Sequence, residues 1–161
     1  MEFFVTKVEE KGQKETYIKD FGESFSDDLM KELIFSDFWV VLSEDKCFGF
    51  ATAVENNDIS IRISHFFINR ELLETDVAIF LYMEIEKYYV NKNFEMMLIK
   101  IPANVRGLTG PMRKFFKRVG LRSELKEIGY EGNFILLIKD DLKKWYTEKN
   151  GELIPNIIPN K

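Results

Sequence analysis

With one histidine, His65, and one cysteine, Cys47, this sequence leaves few routes to side-chain chemistry. A histidine titrates near neutrality and can serve as a general base. His65 shares its alternation phase with Ile59, Ile61, Ile63 and Phe67, the apolar phase of a β-compatible run. It is therefore either a base at the edge of a site or a hydrogen-bonded histidine at the edge of the core. Cys47 alone forms no internal disulfide and no multi-cysteine zinc site. Together the two counts argue against a metal centre of the usual zinc kinds and for a reducing, cytoplasmic setting.

The charged residues are unevenly spread. The net charge is −4, yet Arg106, Arg113, Lys114, Lys117, Arg118 and Arg122 fall in one stretch without an acid. An acidic chain with a single basic segment suggests a local anion site. Arg113 with Lys117, and Lys114 with Arg118, are like-charge i,i+4 pairs, which cost helix stability unless acids or an anion answer them. A solvated face, Asp140 and Asp141, a phosphate or an acidic protein partner would each do so. No aromatic residues interleave on that face, which argues against nucleic acid. No apolar run approaches the roughly 20 residues of a membrane span. The start, MEFFVTKVEE, lacks the pattern of a signal peptide. Fifteen Phe suit core packing, or else a lined groove.

The elements that must position these groups follow from periodicity. Phe3 to Val8 reads as a strand, and Lys11 to Lys14, with Gly12, as a turn. From Glu15 to Phe35 the helical spacing is broken at Ser26, Asp27 and Asp28, which predicts two short helices with a cap between them. Phe38 to Ser43, Cys47 to Val54 and Ile59 to Ile68 are strands joined by short turns, an antiparallel meander. Glu71 to Thr75 leads into a helix over Asp76 to Val90, including Val77 and Ala78. Met96 to Ile101 is a strand apolar enough for burial on both faces. Met112 to Val119 is an amphipathic helix with Gly120 as its stop, and Glu84 and Glu86 of the earlier helix read as solvated or paired with Lys87. Leu125 to Ile128 and Asn133 to Lys139 close the pattern around Gly129 to Gly132, followed by a helical turn within Asp140 to Tyr146. Residues 1–150 form one expected domain, and 151–161 a C-terminal tail, extended or disordered.

Strand, two helices, three meander strands, helix, strand, helix and two strands is an order that resembles the GNAT N-acyltransferase fold. That fold is an α/β architecture with a central mixed β-sheet flanked by helices. The segment MRKFFKRVGLRSE, Met112 to Glu124, is similar to the family's helix that ends in a tyrosine, three residues, Gly and an aromatic. The resemblance spans residues 3 to 140. It implies transfer of an acetyl group from acetyl-CoA to an amine, carried by a small molecule or a protein. It also implies a cofactor cleft where the third meander strand parts from Met96–Ile101, with the pantetheine on the backbone of Phe66, Phe67 and Ile68. A histidine such as His65, or a water, would take the amine's proton. A further protein partner and a homodimer are compatible with the resemblance.

Two positions depart from the family pattern. Its pyrophosphate loop reads Gln or Arg, two residues, Gly, one residue, Gly or Ala, because glycine lets backbone N–H groups at a helix N-terminus approach the phosphates. Here Leu73, Asp76 and Ala78 align with it, and no glycine occurs between Gly49 and Gly107. Asp76 is expected to cap its own helix, with Glu74 adding a second negative charge. The loop residues Asp76, Val77 and Ala78, with Arg113 for a phosphate, are the remaining cofactor candidates. The family's thiolate-protonating tyrosine aligns with Phe116, so Tyr130, expected in the closing turn, or a water would replace it. The alternative function is a GNAT-like domain without catalysis that binds a protein or a ligand.

Overall fold

The computed structural model describes residues 2–22, 25–106, 108–123 and 126–155. Its elements, in order, are β1 (Phe4–Val8), α1 (Lys11–Phe21), α2 (Asp27–Phe35), β2 (Asp37–Ser43), β3 (Lys46–Glu55), β4 (Ser60–Ile68), α3 (Arg70–Leu73), α4 (Asp76–Asn91), β5 (Met96–Pro102), α5 (Thr109–Ser123), β6 (Lys126–Glu131), β7 (Phe134–Lys139), a 3-10 turn (Leu142–Trp145), β8 (Tyr146–Lys149) and β9 (Glu152–Pro155). Seven strands make one mixed sheet in the order β1-β2-β3-β4-β5-β7-β6, and β8 pairs with β9. By internal packing the described residues divide into two compact units. The first takes the described residues up to Val54 together with Ile63–Ile85; the second takes Glu55–Arg62 and the described residues from Glu86 onward.

In the first unit, β1 runs antiparallel to β2, Phe4 opposite Leu42 and Val8 opposite Phe38. Strand β2 runs antiparallel to β3, with a bulge between Val41 and Leu42. Phe38, Val40 and Phe50 turn one face of this meander toward Ile18 of α1 and Leu33 of α2, and the Phe38 and Phe50 rings stack at 5.3 Å. The break between the two helices lies as predicted: Ser26 Oγ accepts from the Leu29 N–H at 3.2 Å, with Asp27 and Asp28 in the first turn of α2. The turn expected at Lys11–Lys14 is instead the start of α1, because the Lys14 N–H donates to Glu10 O and closes a helical turn around Gly12. Lys14 is buried, and its ammonium donates to Ile34 O at 3.1 Å and Ser36 O at 2.8 Å. A cation on the last carbonyls of α2 satisfies orphan acceptors and complements the helix dipole. Burial still holds the Lys14 pKa below its ordinary value, with Lys7 adding to that effect.

In the second unit, β5 and β7 are antiparallel, Met97 opposite Lys139 and Pro102 opposite Phe134, and β6 adds to β7 with a bulge between Glu127 and Gly129. Met97, Ile99 and Ile101 are buried while their neighbours are half-buried, so β5 has one true core face, not two. Helix α5 continues through Gly120 to Ser123, so that glycine is not its stop. Strand β6 runs through Gly129 and Tyr130, where a turn is expected from the sequence; the reversal is made by Gly132, at φ +57°, and Asn133. Leu125, expected in that strand, lies outside the described residues. The expected C-terminal tail begins as structure: Asn150 and Gly151, both with positive φ, form a tight turn that pairs Lys149 with Glu152. Residues 156–161 of that tail lie outside the described residues.

Candidate functional site

The C-terminal end of β4 is held against β3 at unusually short range. A Cβ at Gly49 would lie 2.8 Å from Phe67 O and 3.0 Å from Ile68 Cα, so only glycine admits this approach. The Asn69 N–H extends the contact by donating to Phe48 O at 3.0 Å. Phe66, Phe67 and Ile68 are all half-buried here. The Phe67 ring packs between Phe50, at 5.1 Å, and Phe25, at 5.4 Å.

His65 lies two residues before Phe67 and stacks on its ring, 5.9 Å between centroids and 11° between planes. Its Nδ1 is 3.1 Å from Thr52 Oγ1, which is 2.7 Å from Ser64 Oγ; Ser64 Oγ in turn donates to Thr52 O at 3.3 Å. Burial lowers the His65 pKa from its ordinary 6.5, against a weaker opposing pull from the Glu32 carboxylate of α2. The ring is therefore neutral at physiological pH. The two readings of His65 meet in one residue: it is hydrogen-bonded at the core edge, and it is neutral and half-exposed, as a base must be.

The passage from β4 to α4 is partly helical. Arg70–Leu73 coil into a helical turn, α3, in which the Leu72 N–H donates to Asn69 O at 2.9 Å. The Thr75 N–H and hydroxyl both donate to Leu72 O, at 3.0 and 2.6 Å. Helix α4 starts at Asp76, so Asp76 is its first helical residue and Thr75 holds the flanking position; the expected N-cap role of Asp76 is corrected to a first-turn acid. Glu74 and Asp76 are exposed, Val77 is half-buried, and Leu73 and Ala78 are in the core. The residues present give a poor pyrophosphate cradle: the Leu72 and Thr75 N–H groups are taken up internally and two carboxylates stand at the positive end of the helix.

In the second unit, Arg113 of α5 reaches β6. Its Nε donates to Glu127 Oε2 at 3.2 Å and its Nη2 to Glu127 Oε1, a fork that together with the Tyr130 hydroxyl raises the Arg113 pKa. An acid of β6 thus answers this member of the basic face, where Asp140 and Asp141 had been candidates. Tyr130 is 66% exposed. Phe116 is buried with Met112 and Phe115, as its helical phase predicted, and its ring meets Phe115 at 4.9 Å. The side chains of Lys117 and Arg122 lie outside the described set.

Three further polar side chains, Glu86, Lys139 and Cys47, are buried. Glu86, expected in solvent or paired with Lys87, is fully buried; its Oε1 accepts from Lys139 Nζ and from the Tyr146 hydroxyl at 2.7 Å. Lys139 Nζ also sits 5.7 Å from the Trp145 ring. Cys47 is buried, its Sγ 3.5 Å from Gly49 O, and burial pushes the thiol up to about 11, which removes it as a nucleophile. Among the described residues, no group of three His, Cys, Asp or Glu side chains is placed to hold a metal ion, and no helix is long and apolar enough to cross a membrane.

No protein-family model and no curated protein sequence matches this chain. Solved structures do. An N-acetyltransferase from Thermoplasma acidophilum, in complex with coenzyme A, superposes with a TM-score of 0.61 at 13% identity, covering 87% of this chain and 99% of the other. A GNAT family acetyltransferase from Elizabethkingia anophelis with acetyl-CoA bound gives 0.60 at 9% identity, covering 86% and 97%. The ribosomal-protein-S18-alanine N-acetyltransferase from Escherichia coli gives 0.64 at 9% identity, covering 87% and 94%. The chain has the GNAT N-acetyltransferase fold, a mixed sheet flanked by helices, as its element order predicted.

Proposed function

We propose that this protein is an N-acyltransferase that passes an acetyl group from acetyl-CoA to an amine on a small molecule or a protein. The observation that carries the reading is His65 on β4 of a GNAT fold, half-buried, with its pKa held below the ordinary value and anchored through Nδ1. A neutral imidazole can take a proton from an ammonium or an attacking amine, and its ring is fixed by Phe67 on one side and Thr52 on the other. Acetyl-CoA, when bound, supplies the activated thioester. The backbone of Phe66, Phe67 and Ile68 would hold its pantetheine arm. Phe116 has no proton to give, so a water would protonate the departing thiolate. Isothermal titration with acetyl-CoA tests the reading; no heat of binding at millimolar ligand would overturn it.

A second reading, a GNAT-fold module that binds a protein or ligand without catalysis, is favoured by one feature. The α3 turn with Glu74 and Asp76 makes the start of α4 hostile to a pyrophosphate. Turnover of acetyl-CoA with any member of an amine panel would exclude it.

A further inference from the structure

With one hydrogen in each, the three contacts around Thr52 are all satisfied in a single arrangement. Each hydroxyl carries one hydrogen, and a carbonyl only accepts. Ser64 Oγ lies on Thr52 O at 3.3 Å, so that bond uses the Ser64 hydrogen. The 2.7 Å contact between the two hydroxyls then needs the Thr52 hydrogen, donated to Ser64 Oγ. Thr52 Oγ1 has only lone pairs left for the imidazole, so His65 Nδ1 must be the donor across 3.1 Å. If Thr52 instead gave its hydrogen to Nδ1, two choices would follow. Either the two hydroxyl oxygens face each other at 2.7 Å with no hydrogen between them, or the Ser64 bond to the carbonyl is given up.

We infer that Thr52 and Ser64 are positioning residues that lock the neutral His65 into its Nδ1–H tautomer, leaving the lone pair on Nε2. The inference rests on the proposed role of His65, because that role requires an unprotonated nitrogen directed away from Thr52. Thr52 is fully buried, so water does not compete for the hydroxyl, and the Phe67 ring restricts rotation of the imidazole. No atom is transferred between Thr52 and Ser64 during a reaction; the pair acts by orienting a donor, much as second-shell partners orient a ligating histidine.

His65 is the only histidine in the chain, so its side-chain nitrogens give unambiguous signals in a ¹⁵N-labelled sample. Long-range ¹H–¹⁵N correlation spectra of the full chain above the His65 pKa should show a protonated, pyrrole-like Nδ1 and a pyridine-like Nε2. A protonated Nε2 with a pyridine-like Nδ1 would overturn the inference. Thr52→Val, which keeps the shape and removes the acceptor, should shift the population toward the Nε2–H form, and Thr52→Ser should restore the Nδ1–H form. An unchanged tautomer in a folded Thr52→Val protein would also overturn it; should that variant not fold, Ser64→Ala, which frees the Thr52 hydrogen for Nδ1, serves the same purpose. Where acetyl transfer is measured, Thr52→Val should lower kcat about 10-fold with little change in KM. The spectra stand without turnover, so a protein that shows the Nδ1–H tautomer but no acetyl-CoA binding would separate failure of the proposed function from failure of this inference.

Discussion

Gly49 and Phe67 occupy a space that admits no side chain between them: a Cβ on residue 49 would come within 2.8 Å of the Phe67 carbonyl oxygen. The obstruction is backbone, so a rotamer change cannot relieve it. Gly49→Ala should push the end of β4 away from β3, at a cost of about 1–3 kcal/mol, the usual penalty for overpacking. The change would be read as a lowered urea midpoint. Because the displaced residues are the proposed seat of the pantetheine arm, acetyl-CoA affinity should fall further than stability does. Loss of stability with unchanged affinity would place the arm elsewhere.

The pKa of His65 lies below 6.5 in the folded chain. A depressed histidine means that, between the folded and unfolded values, the unfolded chain binds more protons. Stability is therefore greatest above the unfolded value and is lost as pH falls through it toward the folded one. Urea midpoints between about pH 7.5 and about pH 5.5 should decline, and His65→Gln should flatten that decline. The groups facing the ring are Thr52, Ser64 and, more distantly, Glu32, whose carboxylate limits the effect. Glu32→Gln should steepen it.

How much of this was legible before the structure depends on whether the signal was local. The meander and the apolar phase of His65 were readable because strand alternation is written in consecutive residues. The caps at Ser26 and the buried face of α5 were readable for the same reason. The hairpin after Tyr146 has a local signal in Asn150–Gly151, a strong two-residue turn. Thr52 as the partner of His65 was not legible, since nothing short of β3–β4 register relates them. The burial of Lys14 and Glu86 is not written locally: charged residues are almost never fully buried unless paired, and the partner of Glu86 lies 53 residues away.

The turn between β2 and β3 is strained. Glu44 and Asp45 both have positive φ, 51° and 64°, in a two-residue connection between Ser43 and Lys46. Such turns favour Asn-Gly, and a left-handed residue that carries a Cβ costs about 1–2 kcal/mol. Asp45→Gly should raise stability by about 1 kcal/mol, less the added freedom of glycine in the unfolded chain. A chemical denaturation curve with a higher midpoint and an unchanged slope is the expected result.

Cys47 should behave as an inert core thiol. With its pKa pushed up to about 11 by burial, almost no thiolate exists at neutral pH, and the sulfur is shielded beside Gly49. Reaction with an aromatic disulfide should be negligible in the native protein and complete in denaturant. Cys47→Ala should leave acetyl transfer unchanged, since no proposed step uses the thiol.

Glu86 and Lys139 form an ion pair with no exposed surface, joined by the Tyr146 hydroxyl, so the C-terminal hairpin is tied to α4 and β7 within the second unit. Desolvating two charges costs about as much as their attraction returns, so the pair adds little net stability while making each partner indispensable to the other. Lys139→Met should cost about 3–5 kcal/mol because a buried carboxylate is left uncompensated. Glu86→Leu combined with Lys139→Met should recover most of that loss, which a double-mutant cycle in urea would resolve. Tyr146→Phe alone should cost about 1–3 kcal/mol through loss of one bond to a charged acceptor, and should speed proteolysis within the hairpin before the β5–β7 pairing opens.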